Sequence, residues 1–279
     1  MNKKLVFFDV DGTLLNDQKT INESTIKAIS ELKDKGFIFC IATGRGLTEG
    51  IIEIARIAGL NGYLVLGNGN YVWDLNNESL SLIGMPLASQ VINDFYNSAV
   101  KSKRQLNLFF DDATIKNYYF GESVNIDIQD PNFYIAGPSI YNYSNVDEVT
   151  EDLKKPIVHV SLKAEQEIIK QYYPKLKKLE NDKLAQVSNV LNVYVEAESY
   201  GISKWSGVQY VQKKLNISNE NTYAIGDSKN DKILLANVGN SICMENGDPE
   251  MKKIAKITIG NNNTDSIANY LYTLIENEK

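Results

Sequence analysis

Cysteine and histidine are almost missing from this chain of 279 residues, and their scarcity removes several chemistries at once. Cys40 and Cys243 are too few and too scattered for a disulfide framework, a thiolate zinc site or a redox pair. His159 is the single histidine, so any Ser-His-Asp arrangement would have to use it. It sits in Ile157-Val158-His159-Val160, a strand-like run with no neighbouring nucleophile, and it reads as structural. No apolar run is long enough to cross a bilayer, and Asp9 breaks the first one too early for a secretory leader. Positive charge is also short, with 29 Lys and Arg against 35 Asp and Glu and a net charge of −6. That balance argues against binding a nucleic-acid backbone or an anionic membrane. The expected partner is therefore a small molecule, the expected compartment the cytoplasm, and the expected state a monomer or homodimer.

Hydrophobic residues at 43% and charged residues at 23% suit a globular protein with a real core, and the length suits two domains or one domain with a large insertion. The opening run 5–8 is apolar throughout, which predicts a strand buried on both faces. Ile26, Ile29 and Leu32 then recur at helical spacing, with Asn22 or Ser24 as cap and Gly36 as stop. A second buried strand is predicted over 37–42, a helix through Ile51, Ile52, Ile54, Ala55 and Ala58 that stops at Gly59, and a third strand over 63–66. Strand, helix and strand in tandem mean a parallel sheet with right-handed crossovers. Asn68-Gly69-Asn70 reads as a hairpin turn into a strand over 71–75.

The pattern changes near Met85. A helix over about 87–101 leads to an alternating strand at 105–110, then to a Tyr- and Asn-rich stretch that is irregular around 130–138. Further strands at 157–162, 184–188 and 190–196 surround an amphipathic helix at 165–179, with the last two strands joined through Asn189. This predicts an α+β unit with an antiparallel sheet, inserted in the parallel pattern. That pattern resumes with a helix opened by Lys204 that turns Val208, Val211 and Leu215 inward. Strands at 222–225, 241–244 and 257–259 follow, with a helix through 233–236, one capped by Asp248-Pro249 and one from Thr264. The predicted architecture is an α/β, doubly wound, Rossmann-like parallel-sheet core (1–84 and 197–279) carrying an inserted α+β domain (85–196).

In such sheets ligands bind beyond the carboxyl ends of the strands. Asp9, Asp11, Thr43, Lys204, Asp227, Asn230 and Asp231 are all predicted at that edge. Residues two apart on a strand face the same way, so Asp9 and Asp11 can point together, and Gly12 lets the chain turn beside them. Two close carboxylates survive if a metal binds, if they share a proton, or if water covers them. Singly, Thr43 reads as a helix cap and Lys204 as a solvated lysine. Together, carboxylates, a hydroxyl and an ammonium suit a metal-bridged phosphate.

Asp9-Val10-Asp11-Gly12-Thr13, Ala42-Thr43-Gly44-Arg45, Lys204 and Gly226-Asp227-Ser228-Lys229-Asn230-Asp231 resemble the four ordered motifs of the haloacid dehalogenase superfamily. The insertion is similar to the cap of its Cof-type (subclass IIB) sugar-phosphatase branch. The one departure is Trp205, where the family usually has a small residue after the lysine. The resemblance implies Mg2+-dependent hydrolysis of a small phosphorylated metabolite. Asp9 would be the nucleophile that forms an aspartyl-phosphate, and Asp11 the general acid and base. Mg2+ would be held by Asp9, the Asp11 carbonyl and Asp227, with Asp231 as ligand or support. Thr43, Gly44, Lys204 and Asn230 would hold the phosphate, and Arg45 and Asn68 are candidates for the leaving group, with a salt-bridging Arg45 and a turn-forming Asn68 as the alternatives. A phosphomutase on the same scaffold and a non-catalytic sugar-phosphate sensor are the alternatives. Gly84 to Pro86 and Glu198 to Gly201 are candidate hinges. Tyr118, Tyr119, Tyr134, Tyr141 and Tyr143 are candidates for stacking on a ring or for packing.

Overall fold

The computed structural model describes residues 3–121, 144–190 and 192–276. Two compact units emerge: Met1–Arg45, Ile51–Ile83 and Ser203–Lys279 form one, Gly46–Gly50 and Gly84–Ile202 the other.

The first unit is built on β1 (Lys4–Phe8), whose five residues are all buried. Leu5 and Phe7 share one core with Cys40, Ala42, Val65, Val208, Val211 and Leu235. On the opposite face the Phe8 ring stacks on Phe39 at 6.0 Å. Burial on both faces is why β1 reads as an unbroken apolar run. Helix α1 (Glu23–Lys33) buries Ala28, Ile29 and Leu32, and Gly36 at φ +85 turns the chain into β2 (Phe37–Ala42). Then come α2 (Glu49–Ile57), β3 (Tyr63–Leu66), β4 (Tyr71–Asp74) and β5 (Ser79–Leu82). After the second unit the chain adds α6 (Lys204–Leu215), β11 (Thr222–Gly226), α7 (Lys232–Asn237), β12 (Asn240–Met244), α8 (Pro249–Ile254), β13 (Ile257–Ile259) and α9 (Ser266–Glu276).

The sheet order is β13-β12-β11-β1-β2-β3-β4-β5. The first six strands run parallel, and β4 and β5 are antiparallel additions. Helices α6 and α7 pack on the Leu5 and Phe7 face. Helices α1 and α9 pack together on the other, where Lys4 Nζ donates to the Leu274 carbonyl. From β1 the chain winds one way to β2 and β3 and returns on the other side to β11. The crevice beyond the carboxyl ends of β1 and β11 is thus a topological switch point, the usual ligand position in open α/β sheets.

The second unit contains α3 (Ser89–Ser102), β6 (Gln105–Phe110), β7 (Ile115–Tyr119), α4 (Val149–Asp152), β8 (Ile157–Lys163), α5 (Gln166–Leu176), β9 (Gln186–Val190) and β10 (Tyr194–Glu198). Its sheet is antiparallel throughout, in the order β7-β6-β8-β10-β9. Leu106, Leu108, Val160, Leu162, Val195 and Ala197 pack with Phe95 of α3 and Ile169 of α5. By strand alternation the opposite face carries Gln105, Asn107, Phe109, His159, Ser161, Glu196 and Glu198.

The differences from the sequence-based expectations are local. The expected helix 165–179 is α5 followed by a 3-10 turn, Lys177–Glu180, with Pro174 inside the helix. Asn189 does not turn the last hairpin: it pairs with Val195 inside β9, and Asn192, at φ 55, lies in the turn. Strand β10 runs on to Glu198. The irregular stretch at 130–138 and Tyr134, Tyr141 and Tyr143 lie outside the described residues. Tyr118 is fully buried and donates to the Asp152 carboxylate.

Candidate active site

The candidate residues other than Lys204 sit in the loops just past the carboxyl ends of parallel strands β1, β2, β3 and β11, and Lys204 opens helix α6. Asp9 succeeds β1, and its amide continues the ladder to the Ile225 carbonyl of β11 at 2.8 Å. The Asp9 and Val10 carbonyls then accept the amides of Leu14 and Leu15, closing a tight loop around residues 10–13. Gly12 has φ +78, and an added Cβ there would meet Asp227 Oδ2 at 2.6 Å. Glycine is what lets this loop lie against the next acid.

Asp227 and Asp231 follow β11. Asp231 is buried, and its Oδ2 accepts the backbone amides of Asp227 at 3.1 Å and Ser228 at 3.0 Å. The Thr13 hydroxyl donates to Asp227 Oδ1 at 3.0 Å, tying the first loop to the last.

Lys204 is the hub. It begins α6 behind a Ser203–Ser206 capping box and is fully buried. Its ammonium donates to Asp9 Oδ1 at 2.7 Å, Asp231 Oδ1 at 2.6 Å and Asn230 Oδ1 at 3.2 Å. Three donors thus meet three acceptors. Gly69 makes that reach possible, because an added Cβ at its position would fall 1.9 Å from the Ser203 carbonyl. Trp205 packs half-buried against the core without displacing the lysine.

The remaining candidates join the same network. Thr43 is buried, and its hydroxyl accepts the Arg45 amide at 3.2 Å. Its carbonyl accepts the Asn68 amide at 3.1 Å, and Asn230 Nδ2 donates to Asn68 Oδ1 at 3.3 Å. A Cβ on Gly44 would stand 2.9 Å from that same Asn68 oxygen. Asp11 is engaged differently. Strand β1 ends at Phe8, so strand alternation does not set its direction, and its carboxylate faces Arg45. The guanidinium grips it through Nε at 2.8 Å and Nη2 at 2.7 Å, with Lys19 at 3.7 Å. Asp9 and Asp11 therefore answer to different cations. Thr13, Ser228 and Lys19 were not singled out from sequence. Nor was Asn246, which donates to the Gly12 carbonyl at 2.7 Å. Thr13 and Ser228 stand inside two of the quoted motifs, whereas Lys19 and Asn246 carry no local signal.

Burial pushes the Asp9 carboxyl up to about 7, against the pull of the Lys204 ammonium and with the help of Asp231. Burial does the same to Asp227, raised to about 8, with Asp9 and Asp231 adding repulsion. Burial alone would lower Lys204, but Asp231 and Asp9 outweigh it and hold the lysine above its ordinary range. Oxygens of Asp9, Asp227 and Asp231 lie within 4.8 Å of one another. Three carboxylates facing one ammonium make a donor set suited to a hard, oxygen-seeking cation.

The fold is a doubly wound α/β core with, at its switch point, an acid cluster that could hold a cation. The chain belongs to the haloacid dehalogenase-like hydrolases, whose family model matches residues 6–271. It is 28% identical over 265 residues to the 5-amino-6-(5-phospho-D-ribitylamino)uracil phosphatase YcsE of Bacillus subtilis, spanning 95% of this chain and 93% of that one. It is 27% identical over 274 residues to an HMP-PP phosphatase of Yersinia pseudotuberculosis, spanning 96% and 94%. The solved structure of a subclass IIB sugar phosphatase of the superfamily shares the fold at a TM-score of 0.78 and 19% identity, covering 98% of this chain and 99% of that one. Among the described residues no helix is long and apolar enough to cross a membrane.

Proposed function

We propose that this chain is a Mg2+-dependent phosphatase that hydrolyses small phosphomonoesters through an aspartyl-phosphate on Asp9. The observation that carries the reading is the Lys204 bridge between buried Asp9 and buried Asp231, beside a half-buried Asp227. Asp9 and Asp227, with the Asp11 carbonyl, would hold the cation. Asp231 is better read as a support, because Lys204 and two backbone amides already occupy its two oxygens. Bound Mg2+ supplies positive charge that offsets repulsion between a carboxylate nucleophile and an anionic phosphate.

The chain's own residues supply the rest. The Asp9 carboxylate attacks phosphorus while the ester P–O bond breaks, and Asp11 gives a proton to the departing alkoxide. Asp11 then takes a proton from water as the water attacks the aspartyl-phosphate, which frees phosphate and Asp9. Thr43, the amide of Gly44, Asn230 and Lys204 hold the phosphate oxygens, with Lys204 acting as a point charge. Arg45 holds the direction of Asp11 and would turn to the leaving group. The second unit would act as a cap, hinged near Gly84 to Pro86 and Glu198 to Gly201.

The names of the relatives set the first panel: the ribitylaminouracil phosphate, HMP-PP and common sugar phosphates. Phosphate release should require Mg2+ and stop with excess chelator. Asp9→Asn should lower it by at least about three orders of magnitude while the variant still folds. Undiminished hydrolysis in that variant would remove Asp9 as nucleophile.

A further inference from the structure

The second unit carries a group of ligating side chains that the hydrolase chemistry does not use. His159 on β8 lies directly opposite Glu198 on β10, and Glu196 is two residues away on the same face of β10. One imidazole nitrogen and one oxygen from each carboxylate lie within 4.8 Å of one another. His159 Nδ1 stands 3.8 Å from Glu198 Oε1. Among the described residues neither ring nitrogen of His159 has a hydrogen-bond partner, although the residue is fully buried. A buried polar group without a partner is costly, and such groups are rare in native structures.

We propose that His159, Glu196 and Glu198 bind a divalent transition-metal ion of the Zn2+ class within the five-stranded sheet. The proposal stands independently of the phosphatase reading. An imidazole nitrogen with two carboxylate oxygens is a donor set such ions take, whereas Mg2+ prefers oxygen alone. Ligands on a tetrahedral zinc stand about 3.4 Å apart, so binding would draw these atoms together from their present spacing. The ring needs no deprotonation, because burial pushes it down to about 3 and keeps it neutral. The Phe109 ring, 4.3 Å away and tilted by 35°, holds the imidazole plane in place. Glu198 is buried and Glu196 half-buried, so the ion enters past Glu196. Three protein ligands leave a fourth position for water or a ligand atom. The alternative is a histidine that merely fills the sheet face against Phe109.

His159 is the only histidine, so in untagged protein its imidazole nitrogen resonances are unambiguous. The experiment is a Zn2+ titration of 15N-labelled protein with Mg2+ in excess, followed by imidazole NMR and repeated on Glu196→Gln. The expected result is a saturable shift of one ring nitrogen at one equivalent, with affinity at least about tenfold weaker in the variant. Zinc bound at the acid cluster of the first unit does not ligate this ring and leaves the readout clean. Imidazole resonances that stay put through excess Zn2+, or equal affinity in wild type and Glu196→Gln, would overturn the proposal.

Discussion

Replacing Lys204 by methionine tests the electrostatic reading of the site most severely. The ammonium makes two ion pairs, at 2.7 and 2.6 Å, and all three side chains are shielded from water. Methionine has a comparable volume, so the loss is of charge and not of packing. Removing one member of a buried ion pair typically costs about 3–5 kcal/mol, because the partner charge stays buried. Here two carboxylates lose the same cation. Protonation of Asp9, already pushed up to about 7 by burial, holds the loss toward the lower end. A bound cation would replace part of the missing charge, and saturating ligand at about 100 times its Kd adds about 2.7 kcal/mol to a native state that alone binds it. Trp73 and Trp205 both belong to the first unit, so tryptophan fluorescence in urea follows the unfolding of this unit. The expected outcome is a loss of about 3–5 kcal/mol in excess chelator, visibly smaller in Mg2+. A loss below about 1 kcal/mol in chelator, the range of an exposed pair, would refute the buried-bridge reasoning.

Gly12→Ala should cost about 1–2 kcal/mol from its left-handed backbone alone, and its Cβ should push Asp227 aside. The Mg2+ concentration needed for half-maximal activity should therefore rise; an unchanged activation curve would show that Asp227 is not a ligand. Asp152 is buried, and burial would raise its carboxyl. Hydrogen bonds from Lys116, Lys155 and Tyr118 overcome that and lower it to about 2. Its unfolded value is about 3.9, so the stabilisation is complete above that pH and is lost as pH falls from there through about 2. Asp152→Asn should thus be less stable than wild type by about 2–3 kcal/mol at neutral pH, with the gap closing across that window. Equal gaps at about pH 6 and about pH 2.5 would contradict the assignment. Asp248→Ala removes the side chain that caps α8 by accepting the Glu250 amide at 2.8 Å, and should cost about 0.5–2 kcal/mol in thermal or urea unfolding.

Strands buried on both faces were the most legible features. Over 37–42 and 63–66 the apolar runs are bounded by glycine or polar residues, and β2 and β3 have those limits. Strand β5 escaped notice because Ser79-Leu80-Ser81-Leu82 is largely exposed and leans on β4 for its pairing. The β9–β10 turn was misplaced for a different reason. Asn189 and Asn192 have the same local tendency, and only the packing of Val187, Val195 and Ala197 in the core decides between them. In the site, residue identities and strand ends were readable, but partners were not. The Lys204 contacts to Asp9 and Asp231 join loops far apart in the chain, and no local pattern encodes them. Arg45 shows the limit best: a salt bridge was one of its two readings, and only the structure supplies Asp11 as the partner.

The central claim is that Asp9 carries the phosphoryl group. The most direct test is to mix wild-type protein and Mg2+ with the best substrate of the panel, quench in acid during turnover, and map the peptides by mass spectrometry. The account predicts one added phosphoryl group on the peptide containing Asp9, localised to that side chain and lost on treatment with hydroxylamine. Rapid turnover with that peptide unmodified at every quench time, or a phosphoryl group found on another residue, would contradict it.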